Sequence, residues 1–506
     1  MRHPPALLAL AVLLLAVPGA ALGARQDGRL SMTYASGAAL ARFAAANQAR
    51  IVRRIPALHV AELAGDTHAL ALAARHARGI GSPTPLRARH SRSEPSLQPD
   101  PGAAVPGSDY EWQYAATHMD AIPAWVLHAA ASVPLAVIDT GADLAAPDLA
   151  AKLPSSYSVT QTRADVTDAN GHGTFVASIA AGSPDNGDGM AGFGGDAPLL
   201  VVQAGSKDGV FSEFDEAAAI VYAVDRGARV INLSIGGPRT SPVERRAVDY
   251  AVARGALLVA AVGNEQALGN PVEYPAALLQ PVDSQGVGGA GLAVGGSDAV
   301  GGRAWFANSG SWLSLVAPAV QVFGAVARTS SPLAYERVPL PGARLGLYGF
   351  KSGTSFAAPQ VAGAAALVWA ANPTLTARQV ADTLERSASG QGAWNPDTGF
   401  GVLDGAAAVA EAAAQLPAGK GVGWIAARAS GQVLRARLAA SLAALPLAGR
   451  ELLVDRAYGA HWRTIGRRTV DSTGAATWKV KRGVRYRVRF AGAADLTAAT
   501  SPTATS

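Results

Sequence analysis

Residues 109–415 predict an α/β fold, a mostly parallel sheet with helices on both faces. Three features carry that expectation. Short apolar runs, at 133–138, 199–202, 230–233 and 256–262, are separated by longer helical patterns such as Glu213–Arg226 and Pro242–Arg254. The runs are mostly apolar, Asn232 being the exception, as strands of a parallel sheet covered on both faces are. Asp139, Ser234 and Gly263-Asn264 follow three of the runs directly. In a doubly wound sheet the carboxyl ends of the strands are where functional groups gather.

The flanking stretches differ in texture. Met1-Arg2-His3, the apolar run 6–17 and the small residues 19–24 predict a secretory signal over residues 1–23, too short to span a bilayer comfortably. A buried N-terminal helix is the competing reading. Residues 24–81 contain an alanine-rich helical stretch and the apolar segment Ile51–Val60. Residues 81–107 are rich in Pro, Ser and Arg, which predicts an exposed, flexible linker open to proteolysis. From about residue 422 the helical periodicity disappears. The alternation in Gln432–Leu438 and Tyr486–Phe490 predicts a small antiparallel β-domain over 417–506, with a polar tail from Thr497.

Composition narrows the function classes. Of 506 residues 16% are charged and the formal net charge is +6, with arginines scattered and no basic run interleaved with aromatics. This disfavours nucleic acid as a partner. There is no cysteine, so disulfides and thiol catalysis are excluded, and an exported chain must take its stability from core size or bound metal.

Asp139 ends an apolar run before Thr140-Gly141, a place where a carboxylate orients an imidazole, binds metal or caps the next segment. His172 is bracketed by Gly171 and Gly173, which lets backbone and substrate approach the ring. Ser355 lies in Gly353-Thr354-Ser355-Phe356-Ala357-Ala358-Pro359 ahead of an apolar helix, with Pro359 read as a first-turn proline. A serine there serves either as a cap or as a nucleophile. A hydroxyl becomes a useful nucleophile when a histidine takes its proton and a carboxylate fixes that histidine's tautomer.

The order Asp, His, Ser along the chain is that of subtilisin. Asp139-Thr140-Gly141, Asn170-Gly171-His172-Gly173-Thr174 and Gly353-Thr354-Ser355 with Ala357, Ala358 and Pro359 together resemble the motifs of the subtilisin-like serine peptidases across residues 109–415. The chain departs from the family pattern at Phe175, Phe356 and Gln360, none of which supplies reacting atoms.

The resemblance implies a secreted (extracellular or periplasmic), monomeric serine endopeptidase with Asp139, His172 and Ser355 as triad and a catalytic domain over 108–416. It makes residues 24–107 a pro-segment with its linker, acting as the enzyme's own inhibitor and chaperone. It implies that Asn264, in Ala260-Ala261-Val262-Gly263-Asn264, donates to the oxyanion. It also implies that Ser234-Ile235-Gly236 binds the substrate backbone as an added strand, with Ala261 and Gly263 alongside. Glu273, in Glu273-Tyr274-Pro275-Ala276, falls at the floor of the primary specificity pocket beside a cis Pro275. There it favours a basic residue before the scissile bond, and the linker's Arg87–Arg92 suits self-processing; the alternative is a solvated surface glutamate. Calcium is implied at Asp148 and at Asp185, Asn186 and Asp188, in a loop whose spacing departs from the commonest one. An esterase or peptide ligase on the same triad, and a catalytically silent binding protein on the same fold, are the competing functions.

Overall fold

The computed structural model describes residues 27–86, 88–91 and 111–505, apart from 153, 185, 187–188, 331–334, 339–346, 443–444 and 460. The signal at 1–23, most of the linker, and Asp185 and Asp188 lie outside the described residues. Among the described residues no helix is long and apolar enough to cross a membrane.

The chain divides into two compact units, residues up to 54 with 59–85, and residues 55–58 with 86–506. The first holds a sheet in the order Arg50–Ile55, Val60–Asp66, Asp27–Thr33, Thr84–Pro85. Its helices start on side-chain caps, Ser36 for Gly37–Ala46 and Asp66 for Thr67–Ala74. Leu30, Met32, Leu40, Phe43, Leu63 and Leu70 form its core. The described part of the alanine-rich stretch, residues 27–81, is therefore a folded αβ unit with its own hydrophobic centre.

The second unit is built on a seven-stranded parallel sheet in the order Leu315–Pro318, Gly291–Ser297, Leu257–Ala261, Val230–Leu233, Leu135–Asp139, Leu199–Gln203, Ser155–Ser158. The four apolar runs are strands of this sheet, and all but the Ser155–Ser158 edge strand are buried along their whole length. After Leu135–Asp139 the chain fills one side of the sheet, then crosses to Val230–Leu233 on the other. The strand order thus reverses between Asp139 and Ser234, the point at which a doubly wound sheet forms a crevice at its carboxyl ends.

The eighteen-residue helix Thr354–Ala371 is buried from end to end. Pro359 lies inside it, not in a first turn, because the helix begins at Thr354, earlier than the sequence reading placed it. Proline has no N–H to give the carbonyl four residues back, and that carbonyl belongs to Ser355. It accepts instead from Ser234 Oγ at 2.7 Å, so the helix tolerates the proline and gains a tie to the neighbouring strand.

Beyond residue 420 two antiparallel sheets enclose Ile425, Leu434, Leu438, Leu452, Val454, Val488 and Phe490. The polar tail predicted from Thr497 is not loose. Ala499–Thr500 and Ala504–Thr505 pair with Arg485–Phe490, and Ser501 Oγ accepts from Val488 N at 2.9 Å. The edge of that strand offers unpaired backbone groups, which outweighs the weak apolar signal of the tail.

Gly363 in the long helix tests how tightly the layers fit. A methyl group there would lie 2.5 Å from Phe193 Cβ and 2.7 Å from Gly194 N. Helix propensity alone favours Gly363→Ala by about 1 kcal/mol, whereas overpacking against backbone costs about 1–3 kcal/mol or more. The clash wins, so Gly363→Ala will lower the denaturation midpoint, measured in a Ser355→Ala background.

Candidate active site

Asp139 ends its strand fully buried, and its Oδ1 accepts from its neighbour Thr140 N at 2.7 Å. The same oxygen lies 2.8 Å from His172 Nδ1. His172 opens the helix His172–Ala181 behind Gly171, whose φ of 101° favours glycine. A methyl on Gly173 would sit 2.1 Å from Gly141 O and 3.1 Å from Asp139 Cβ. The missing side chain is what lets the histidine helix reach the aspartate strand.

A residue that the motif reading passed over secures this contact. Buried Asp168 accepts through Oδ1 from Thr140 Oγ1 (2.9 Å) and Gly171 N (2.8 Å), and through Oδ2 from Thr174 N (2.8 Å) and Thr174 Oγ1 (2.6 Å). Thr140 Oγ1 in turn accepts from Gly173 N at 2.9 Å. One carboxylate thus ties the aspartate segment to the histidine segment. Its signal in the sequence was only an acid four residues before the histidine.

Ser355 sits buried in the first turn of the long helix, with Oγ 3.5 Å from Ser234 O. The next residue, Phe356, brings its ring centroid to 5.7 Å from that of His172. Phe356 also meets Phe175 edge-on at 4.8 Å, and Phe175 stacks on Tyr335 at 5.3 Å. Two of the three departures from the family pattern therefore pack on each other behind the histidine. Gly324 leaves the room, since a methyl there would come within 2.6 Å of the Phe175 ring. The third, Gln360, donates from Nε2 to Pro318 O and Phe356 O.

Asn264 follows the buried strand that ends at Ala261. Its Oδ1 accepts from Thr354 N and Thr354 Oγ1, both at 2.9 Å. That fixes the amide, and its Nδ2 lies 3.5 Å from where a methyl on Gly353 would stand. Around Gly263, a methyl would fall 2.6 Å from Asn308 Nδ2 and 3.2 Å from Glu273 Cγ. Glu273 is buried, 3% exposed, and so is not the solvated surface glutamate of the alternative reading. The Tyr274–Pro275 bond is cis.

Ile235–Gly236 forms an antiparallel ladder, Ile235↔Ser91 and Gly236↔His90, with Ala88–Ser91, which pairs on its other side with Val210–Ser212. This corrects the linker reading: residues 88–91 are a central strand and Arg89 is only 1% exposed. The composition of the segment held no strand signal because its order comes from two edges distant in sequence.

Asp148 is buried, with Oδ1 accepting from Asn186 Nδ2 (2.8 Å) and Oδ2 from Tyr348 OH (2.8 Å) and Met190 N (3.4 Å). Burial, with Asp148 nearby, pushes the Glu111 carboxyl up to about 8, although Ala191 N donates to its Oε2. Glu111 Oε1 is buried without a hydrogen-bond partner among the described residues. No group of three or more acids or histidines suited to a metal occurs among the described residues. Two adjoining buried carboxyls, one with an orphaned oxygen, and a side-chain amide are nevertheless a donor set that fits a hard cation.

A sequence model of the subtilase family matches residues 131–401, more than half of the chain. The chain is 37% identical over 234 residues to the thermophilic serine proteinase of Bacillus sp. (strain AK1), covering 46% of this chain and 51% of that protein. It is 34% identical over 264 residues to subtilisin E of Bacillus subtilis (strain 168), covering 51% and 61% respectively. The chain therefore spans about half to three fifths of the length of these relatives. Fervidolysin from Fervidobacterium pennivorans, a keratinolytic enzyme related to subtilisin, matches over 93% of this chain and 72% of its own. Its TM-score is 0.65 at 22% identity, a likeness of fold. The chain belongs to the subtilase family.

The Glu111 carboxyl sets a pH test. Its folded value of about 8 exceeds the ordinary 4.5. Its stabilising share is therefore complete below about pH 4.5 and is lost as pH rises toward 8. Burial raises Glu385 to about 8 as well, adding to the same window. Chelator-treated Ser355→Ala protein will lose thermal midpoint from pH 5 to pH 8. Glu111→Gln will flatten that loss in part, and added calcium will raise the midpoint most at pH 8. A midpoint indifferent to chelator and calcium would count against the cation.

Proposed function

We propose that this chain is a secreted serine endopeptidase working through an acyl-enzyme on Ser355. The observation that carries this reading is the buried 2.8 Å contact between Asp139 Oδ1 and His172 Nδ1, set beside the turn that presents Ser355. With Nδ1–H directed at Asp139, Nε2 is the basic nitrogen. It takes the Ser355 Oγ proton as the oxygen attacks the peptide carbonyl, and returns it to the departing amine. Water, activated by the same nitrogen, then releases the acyl group as a carboxylic acid and restores the serine. Asn264 Nδ2 and the Ser355 N–H stabilise the oxyanion, and Asp139 stabilises the imidazolium.

Ser234, Ile235 and Gly236 hold the substrate as an added strand, a role supported by the ladder that Ala88–Ser91 already makes there. Ala261 and Gly263 border the primary pocket, with Glu273 drawing a basic side chain to its floor. A calcium ion would neutralise the buried carboxyls of Asp148 and Glu111, with Asn186, and so stabilise the fold. Asp185 and Asp188 complete the proposal for that loop. Residues 24–107 act as a pro-segment, an inhibitor and chaperone for the monomeric catalytic domain at 108–416, and residues 417–506 form an accessory β-domain. Polypeptides are the partners, not nucleic acid.

A fluorophosphonate will label the purified protein at Ser355 alone, and Ser355→Ala will abolish both labelling and peptide cleavage. Peptide hydrolysis that persists in purified Ser355→Ala would exclude this reading. Asn264→Ala will keep KM and lower kcat about 10²–10³-fold, the magnitude that comes from the corresponding donor in subtilisin. Mass analysis of the secreted product beside Ser355→Ala will show whether the cuts after the signal and pro-segment are self-made.

A further inference from the structure

Three buried glutamates gather around Arg89 of the strand Ala88–Ser91, outside the machinery described above. Glu213 and Glu216 lie in the first turns of Glu213–Asp225, capped by Ser212, and Glu244 in the first turn of Pro242–Val252, capped by Ser241. The first helix directly follows the strand Val210–Ser212, and the second follows Ile235–Gly236 after a short loop. The two segments that offer backbone edges to Ala88–Ser91 thus also supply the carboxylates beneath it.

Helix N-termini favour acids, yet burial pushes Glu216 well above the ordinary carboxylate range and raises Glu244 too. The cluster calls for a cation, and Arg89 provides it. Its guanidinium lies 2.9 Å from Glu216 Oε2, 2.6 Å from Glu244 Oε1 and 3.5 Å from Glu213 Oε1. It also donates to Tyr274 O at 2.7 Å and Arg239 O at 3.0 Å. Carboxylates from two helices and carbonyls from two loops converge on one fork of donors, the geometry that guanidinium fits and ammonium does not.

We propose that this socket is a substrate subsite, reading an arginine two residues N-terminal to the residue that pairs with Ile235 in an extended polypeptide strand, and that Arg89 fills it as the chain's own copy. The inference rests on the peptidase reading and names its substrate class. A segment needed only for anchoring is held at less cost by apolar packing, because burying charge carries a large desolvation penalty. A charged socket is useful where one side chain must be told from others. Once the cis strand leaves, three buried carboxylates remain without their counter-ion, and an incoming arginine restores it.

The test uses a synthetic peptide of residues 86–97 and analogues carrying Ala or Lys in place of Arg89. The secreted wild-type protein will hydrolyse the arginine peptide with kcat/KM at least about tenfold above the alanine analogue, mostly through KM, with lysine between. Glu216→Gln and Glu244→Gln will shrink that ratio. Equal hydrolysis of the wild-type and alanine peptides by the unsubstituted protein overturns the proposal without any variant having to fold. If neither peptide is hydrolysed, the peptidase reading itself fails. Fluorescence anisotropy with the Arg89→Ala, Ser355→Ala chain then decides separately. Tenfold tighter binding of the arginine peptide upholds the subsite, and equal binding removes it.

Discussion

The structure depends on one close approach, that of the His172 helix to the strand ending at Asp139. Side chains ordinarily fill the space between a helix and the strand it packs against. Here Gly173 removes the filler, and Thr140 and Asp168 replace it with hydrogen bonds between the two segments. The contact is buried, so the imidazole and carboxylate meet without competing water, where their interaction is strongest. Placement at the reversal of strand order then brings the Ser355 turn and the Ser234 edge to the same crevice.

The turn that carries Ser355 shows how local chemistry and layer packing support each other. Pro359 strips the Ser355 carbonyl of its usual helical donor, and Ser234 Oγ, itself accepting from Asn232 Nδ2 at 2.9 Å, takes that place. Asn264 binds Thr354 on the other side. The helix start is therefore clamped between two strands of the sheet. The aromatic departures fit the same logic, because Phe175 and Phe356 share one contact and the pair is accommodated as a unit.

What could be read from the sequence was what short-range patterns encode. The apolar runs marked the central strands, and the glycine-flanked His172 and the Gly353–Pro359 segment marked two stretches that the fold brings together, since each carries its signal within a few residues. Tertiary pairing left no such trace. Ala88–Ser91 has a polar, basic sequence and is a strand because two distant edges accept it. Asp168 reaches Thr140 and Glu111 reaches Ala191 only in the folded chain, and the tail at 499–505 takes its order from the strand it lies against.

The strand held in the cleft belongs to the same polypeptide that forms the cleft. Its local concentration is set by the tether and not by how much protein is present. Dilution would leave the strand paired, whereas a severed strand would escape by mass action. Covalent continuity, more than affinity, thus governs how long the groove stays closed.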